Sequence, residues 1–278
     1  ADSATTIIDP LGDSGVSTLY GIYASNMTNL RIMNLRITDC FQGVYFDNCD
    51  TSLVDNLYID KCGKISGSGS GIYLTNGSCS NTIQNCHIDT SFYGIFLTGN
   101  SNNNILNNCK VFNSLSYGIY VTGGCSYNSF IGNSSNYGLS RGFYIYNNCD
   151  TNIIINNTAN NNSGNGFMLD TVKGNILTNN TACFNGNSGF HLNNNVPDNI
   201  LTGNYASANA QYGFNLSNAS NNVLIDNYSC SNTQNGFYLN QSSNNLFRNN
   251  RSDSNIQNGY YFESSANANI LIGNNIIS

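Results

Sequence analysis

Acid–base and metal chemistry need carboxylates, imidazoles or thiolates within reach of one another, and this chain carries fifteen acids and two histidines in 278 residues. The acids mostly stand alone. Their nearest approach to a cluster is Asp47, Asp50, Asp55 and Asp60, with Lys61 and Lys64 alongside. Asp60 is expected to stack on Asp89, and two carboxylates on neighbouring strands are what glycoside hydrolysis or calcium binding uses. The stretch from Gly63 to Gly69 reads as a solvated loop, which holds catalytic groups poorly. Asp60 and Asp89 are therefore a weak acidic-site candidate, and no catalytic residue is assigned. His87 follows Cys86, but adjacent strand residues point to opposite faces, so the two form no nucleophile–base pair. His191 takes an outward strand position. Two histidines and three methionines are too few for a copper site, and neither a metal nor another cofactor is expected.

Ten cysteines raise the question of a disulfide framework. Cys40 aligns with Cys62, Cys86 with Cys109 and Cys125 with Cys149, while Cys183 and Cys230 have no partner on a neighbouring coil. Strands ~4.8 Å apart bring such pairs within disulfide range, yet parallel in-register side chains give poor torsions. Bridges and stacked free thiols both stay open. Tyr23, Tyr45, Tyr73, Phe96, Tyr120 and Tyr144 recur at one outward position and form an aromatic stripe. Such a stripe suits sugar rings or a lateral protein partner. Stacking along a sheet would also account for it.

The elements that position these residues follow from a repeat. Gly21, Gly43, Gly71, Gly94, Gly118, Gly142, Gly166, Gly189, Gly213, Gly236 and Gly259 each precede an apolar, any, apolar triplet, and after the first two intervals they are spaced by 23 or 24 residues. A period held this closely means a solenoid. The triplet alternates as a strand does, and a second apolar cluster follows about ten residues later, as in Asn104-Ile105-Leu106 and Asn199-Ile200-Leu201. One inward column runs from Ile22, Val44, Ile72, Ile95 and Ile119 to Phe143, Phe167, Phe190, Phe214, Phe237 and Tyr260. A bend column passes from Leu35, Leu57, Cys86 and Cys109 through Ser134 to Asn157, Asn180, Asn204, Asn227, Asn250 and Asn274. It is expected to be an asparagine ladder whose amides satisfy one another. With 56 asparagines and only 9% charged residues the chain has a disordered tract's composition, but its regular apolar positions supply a core.

Repeats such as Asn175-Ile176-Leu177-Thr178-Asn179-Asn180-Thr181-Ala182 and Gly236-Phe237-Tyr238-Leu239 resemble the right-handed parallel β-helix repeat proteins. These form the pectin-lyase-like superfamily, which includes carbohydrate-binding and sugar-hydrolase repeats and NosD-like periplasmic proteins. The resemblance covers residues 21 to 278. It implies an all-β fold, a right-handed parallel β-helix of about eleven coils of 23–24 residues, with residues 1–20 as a partial N-terminal coil and 1–278 as a single domain. The scaffold hosts lyases, hydrolases, tailspikes and adhesins alike, so it specifies fold more than function.

A net charge of -6 with nine scattered Lys and Arg offers no stripe for nucleic acid. No run reaches the roughly 18 apolar residues of a membrane span, so no membrane insertion is expected. The terminal residues Asn274 to Ser278 lie part-way through a coil. Apolar residues at the two ends, Ile7, Ile8, Ile276 and Ile277, are expected to let copies stack head to tail into a homo-oligomer or filament. The reading that follows is a non-enzymatic structural or adhesive rod, extracellular or at a cell surface, with itself and surface glycans as partners. The alternative is a polysaccharide-active β-helix: lyase, hydrolase or tailspike-like depolymerase.

Overall fold

A computed structural model describes residues 6–9, 19–63 and 68–277. Lys64 lies outside the described residues. Each coil contributes a strand to each of three faces, except that one coil meets the third face only through Thr158, and the pairings between coils are parallel. The repeat-glycine strands form an eleven-stranded sheet from Tyr20–Ser25 to Tyr260–Phe262. The second apolar clusters form another of eleven, from Arg31–Met33 to Ile270–Ile272. The third face is split into a six-stranded sheet ending at Ser134–Asn136 and a five-stranded one beginning at Thr181–Cys183. Single bridges from Ser134 to Thr158 and Thr158 to Thr181 join them. Thr6–Ile8 is the first strand of the six, with Ile7 opposite Arg36.

Sterics explain the repeat. A Cβ on Gly94 would lie 2.3 Å from Val111 Cγ1 and 2.5 Å from the Gly118 carbonyl oxygen. The glycine is needed because the strand runs hard against the third face, not because of an unusual backbone angle. The bends place asparagines in the left-handed region, with φ of 52° at Asn108 and 57° at Asn156. Asparagine enters that region readily because its short amide bonds locally.

Inside, Phe143, Phe167, Phe190, Phe214, Phe237 and Tyr260 stack with ring centroids 4.6–4.9 Å apart. Each fully buried ring contributes about 2–3 kcal/mol of apolar transfer free energy. Three columns of asparagine side chains flank this core. In the first, Asn81 begins a series reaching Asn269, and each Nδ2 donates to the next Oδ1 at 3.0–3.3 Å. The second runs from Asn133 to Asn274 at 2.9–3.1 Å, and the third from Asn162 to Asn255 at 2.9–3.1 Å. The second therefore starts at Asn133 and not at Ser134. Ser134 pairs with Lys110, one position past the bend, while the Cys109 N–H donates to Asn133 Oδ1 at 2.9 Å.

Candidate functional site

The outward face of the glycine sheet carries three columns of side chains per coil: the residue before each glycine, and those two and four after it. The middle column is the aromatic stripe. Tyr23, Tyr45, Tyr73, Phe96, Tyr120 and Tyr144 follow one another with centroids 4.8–5.4 Å apart. The column before the glycine adds Tyr93, 5.1 Å from Phe96, and Tyr117, 4.9 Å from Tyr120. Burial pushes the Tyr45 phenol up to about 12 and raises those of Tyr73, Tyr93 and Tyr120 as well. At neutral pH these hydroxyls keep their protons and remain hydrogen-bond donors. The stripe also sinks into the face, from Tyr23 at 51% exposed to Tyr144 at 8%.

Where it sinks, the face becomes charged. The Arg141 guanidinium sits 4.4 Å from the centre of the Tyr144 ring and 5.2 Å from that of Tyr117, held by cation–π attraction to both. One coil further on, Met168 and Asp170 point outward yet are nearly buried. Asp170 accepts hydrogen bonds from the Tyr144 hydroxyl at 3.4 Å, Thr171 Oγ1 at 3.0 Å, and the amides of Asn193 at 3.4 Å and Asn194 at 3.3 Å. The next coil places His191 beside Met168. Burial, aided by the nearby Arg141 charge and opposed by Asp170, lowers its pKa to about 4. The imidazole is neutral at pH 7, and its covered Nε2 has no hydrogen-bond partner. Just past Asp170 the chain bends around a cavity of about 150 Å³ lined by Asp150, Thr171, Lys173, Asn195 and Pro197. A cation, a neutral imidazole with an unmet bond and a phenol clasped to a carboxylate thus lie together in a sunken part of this face, beside a cavity that none of them lines.

The other predicted residues are distributed more widely. Asp60 and Asp89 stand opposite each other on adjacent strands of the six-stranded sheet. Each is committed elsewhere, Asp60 to Arg36 at 3.5 Å and Asp89 to Thr90 and Asn113. All ten cysteines are free thiols. Cys40 and Cys62 have sulfurs 2.7 Å apart, and burial raises the Cys62 pKa. Contact with Cys86 raises that of Cys109, and contact with Cys149 that of Cys125. Cys183 and Cys230 share a column on the five-stranded sheet with Ser207 between them. Ile8 packs against the core, whereas Ile276 and Ile277 are 58% and 40% exposed in the last strand. Among the recess residues, Tyr144 belongs to the predicted stripe and His191 was placed outward, but Arg141 and Asp170 were not singled out. Their signal is present in the sequence: they occupy the two outward columns flanking the stripe, and strict alternation hides the first because the glycine interrupts it.

This architecture is that of a right-handed parallel β-helix. The family model described as periplasmic copper-binding protein (NosD) matches residues 11–134, 56–235 and 185–278, and the chain belongs to that family. No curated protein matches the sequence. Among solved structures it is similar to the periplasmic alginate epimerase AlgG, with 16% identity, a TM-score of 0.79 and coverage of 91% of this chain and 70% of that one. The A-module of the mannuronan C-5 epimerase AlgE4 from Azotobacter vinelandii gives 15%, 0.77, 98% and 84%. Pectate lyase Pel9A gives 16%, 0.59, 81% and 68%. At such identities these likenesses establish the fold. The residues do not fit the family name's copper. Among the described residues no three His, Cys, Asp or Glu side chains converge, the two histidines lie on different sheets, and the paired thiols are buried, with Cys62 and Cys109 pushed up and so kept from the thiolate form that binds a metal.

Proposed function

We propose that this protein works outside the cytoplasm, in the periplasm or secreted, and acts on a carboxylated polysaccharide laid along the outward face of the glycine sheet. The recess at the end of the aromatic stripe carries the proposal. Stacked rings offer a floor for pyranose faces at little entropic cost. Arg141 would pair with a sugar carboxylate and so acidify the adjacent carbon. His191, uncharged at neutral pH, would take the proton from that carbon after its ring turns to uncover Nε2, and the Tyr144 hydroxyl would return one. Proton removal beside a carboxylate leads to epimerisation when a proton returns to the opposite face of that carbon, or to elimination when the glycosidic oxygen on the next carbon leaves. The fold neighbours are named as epimerases and a lyase, which supports this reading over an inert rod.

The test is incubation with polymannuronate and polygalacturonate in deuterated water, followed by NMR for deuterium at the carbon beside the carboxylate and by ultraviolet absorbance for unsaturated uronates. Wild type should produce one or the other, and His191→Ala should slow it by about 10²–10⁴, the usual contribution of a general base. Absence of both signals on every polyuronate would defeat the assignment. A second reading keeps the stripe without the chemistry: a non-catalytic adhesive rod that holds glycans through Tyr23 to Tyr144. The continuous six-ring stack favours it. Retention on glycan without turnover would select that reading. Its filament form, with copies meeting through Ile7, Ile8, Ile276 and Ile277, predicts end-to-end rods in negative-stain images, and monodisperse single rods at high concentration would reject it.

A further inference from the structure

The outward face of the six-stranded sheet presents a different surface, separated from the recess by a corner of the coil. On it Tyr58, His87 and Phe112 form a second ring stack, with centroids 4.8 Å apart at an interplanar angle of 6° for the first pair and 5.3 Å apart for the second. Tyr58 is 39% exposed. Arg36 lies over the Tyr58 ring at 5.4 Å, and Lys110 stands opposite His87 on the neighbouring strand. The adjoining outward column brings Asp60 and Asp89, and the corner adds an Asp39–Lys61 ion pair at 3.9 Å. Lys110 has no ion-pair partner among the described residues.

We infer that this face is a second carbohydrate-binding surface, built for a neutral polysaccharide segment lying along the rod. A pyranose has an apolar C–H face and a rim of hydroxyls. Successive rings on successive coils take the C–H faces. The partly exposed Asp89, whose two internal bonds both use Oδ1, accepts from ring hydroxyls through Oδ2, and the Lys110 ammonium donates to them. Burial lowers the His87 pKa, so its ring stacks uncharged at neutral pH. Around these rings, among the described residues, Arg36, Lys61 and Lys110 are matched by Asp39, Asp60 and Asp89, which leaves no net attraction for a polyanion there. That balance separates it from the Arg141 recess. The inference stands on its own residues and does not depend on the catalytic reading.

Affinity electrophoresis of the full chain in native gels carrying hydroxyethylcellulose, glucomannan or soluble starch tests it, with polygalacturonate gels as the contrast. Wild type should be retarded in at least one neutral gel. Tyr58→Ser/Phe112→Ser should weaken that retardation at least fivefold, Tyr58→Phe should preserve it, and Asn187→Ala, several coils further along the rod, should leave it unchanged. Asp89→Asn provides a reading if the double variant loses its circular-dichroism spectrum, and it should weaken retardation at least twofold. Free migration of wild type in all three neutral gels would overturn the inference, as would retardation confined to polygalacturonate. So would a folded double variant that migrates like wild type, or, where that variant is unfolded, an Asp89→Asn protein that does.

Discussion

Burial holds His191 uncharged, and the free energy involved shows itself as pH falls. In the unfolded chain its pKa returns to about 6.5, against about 4 in the fold. Above pH 6.5 the residue is neutral in both states and has no effect on the folding equilibrium. Between pH 6.5 and 4 the unfolded state binds the additional proton, so stability declines, by about 3 kcal/mol once both states are protonated. Urea denaturation across pH 7 to 4 should reveal this slope, and His191→Asn, which installs the residue type of Asn215 one coil on, should flatten it. An unchanged slope in the variant would mean that the histidine is not held neutral. Any turnover that uses His191 as base should likewise fade as pH drops through about 4 in the free enzyme. The histidine's outward position was readable from the repeat, but its burial was not, since that depends on side chains contributed by three successive coils.

Among the elements, the asparagine columns do for the bends what ladder hydrogen bonds do for the strands. Asn180 Oδ1 accepts from both the backbone N–H and the amide of Asn157, at 2.9 and 3.1 Å, while its own amide donates to Asn204 and to the Ile154 carbonyl. Asn180→Ala would strand the buried Asn157 backbone N–H and take the amide donor from the Ile154 carbonyl, at about 1–3 kcal/mol each, while the Asn157 amide keeps the Phe130 and Ile155 carbonyls. A loss on the order of 3–5 kcal/mol in urea denaturation is expected, against less than about 0.5 kcal/mol for the surface change Asn187→Ala. A ladder variant as stable as wild type would show that water replaces the missing acceptor. The thiol pairs belong to the same scale. As free thiols, all ten cysteines should be alkylated under denaturing, non-reducing conditions. A shortfall of two mapped to Cys40 and Cys62 would instead identify a bridge between coils. The column from Asn157 to Asn274 was legible as a ladder because its members recur at one offset. Asn104, Asn175 and Asn199 were visible merely as the residues before Ile-Leu, and only their inward orientation makes them rungs.

For the whole molecule, each coil touches mainly its two neighbours, so stability accumulates along the rod and a coil is removable as a unit. Deleting residues 237–259 joins Gly236 to Tyr260, restacks Tyr260 on Phe214 and reconnects the columns at Asn222–Asn269 and Asn227–Asn274. The product should fold with the same circular-dichroism shape and a modestly lower melting temperature. Deleting half a coil, residues 237–248, breaks every column and should give insoluble or unfolded protein. Equal behaviour of the two deletions would contradict nearest-neighbour stacking. Period, strand alternation and the inward columns from Ile72 to Phe237 were all determined by sequence spacing, because a solenoid translates a linear repeat directly into contacts. The recess at Arg141, Tyr144, Asp170 and His191 was decided by the tertiary structure. Its members lie on three different coils, and whether an outward side chain is exposed or recessed depends on the side chains flanking it in two directions, which a one-dimensional period does not encode.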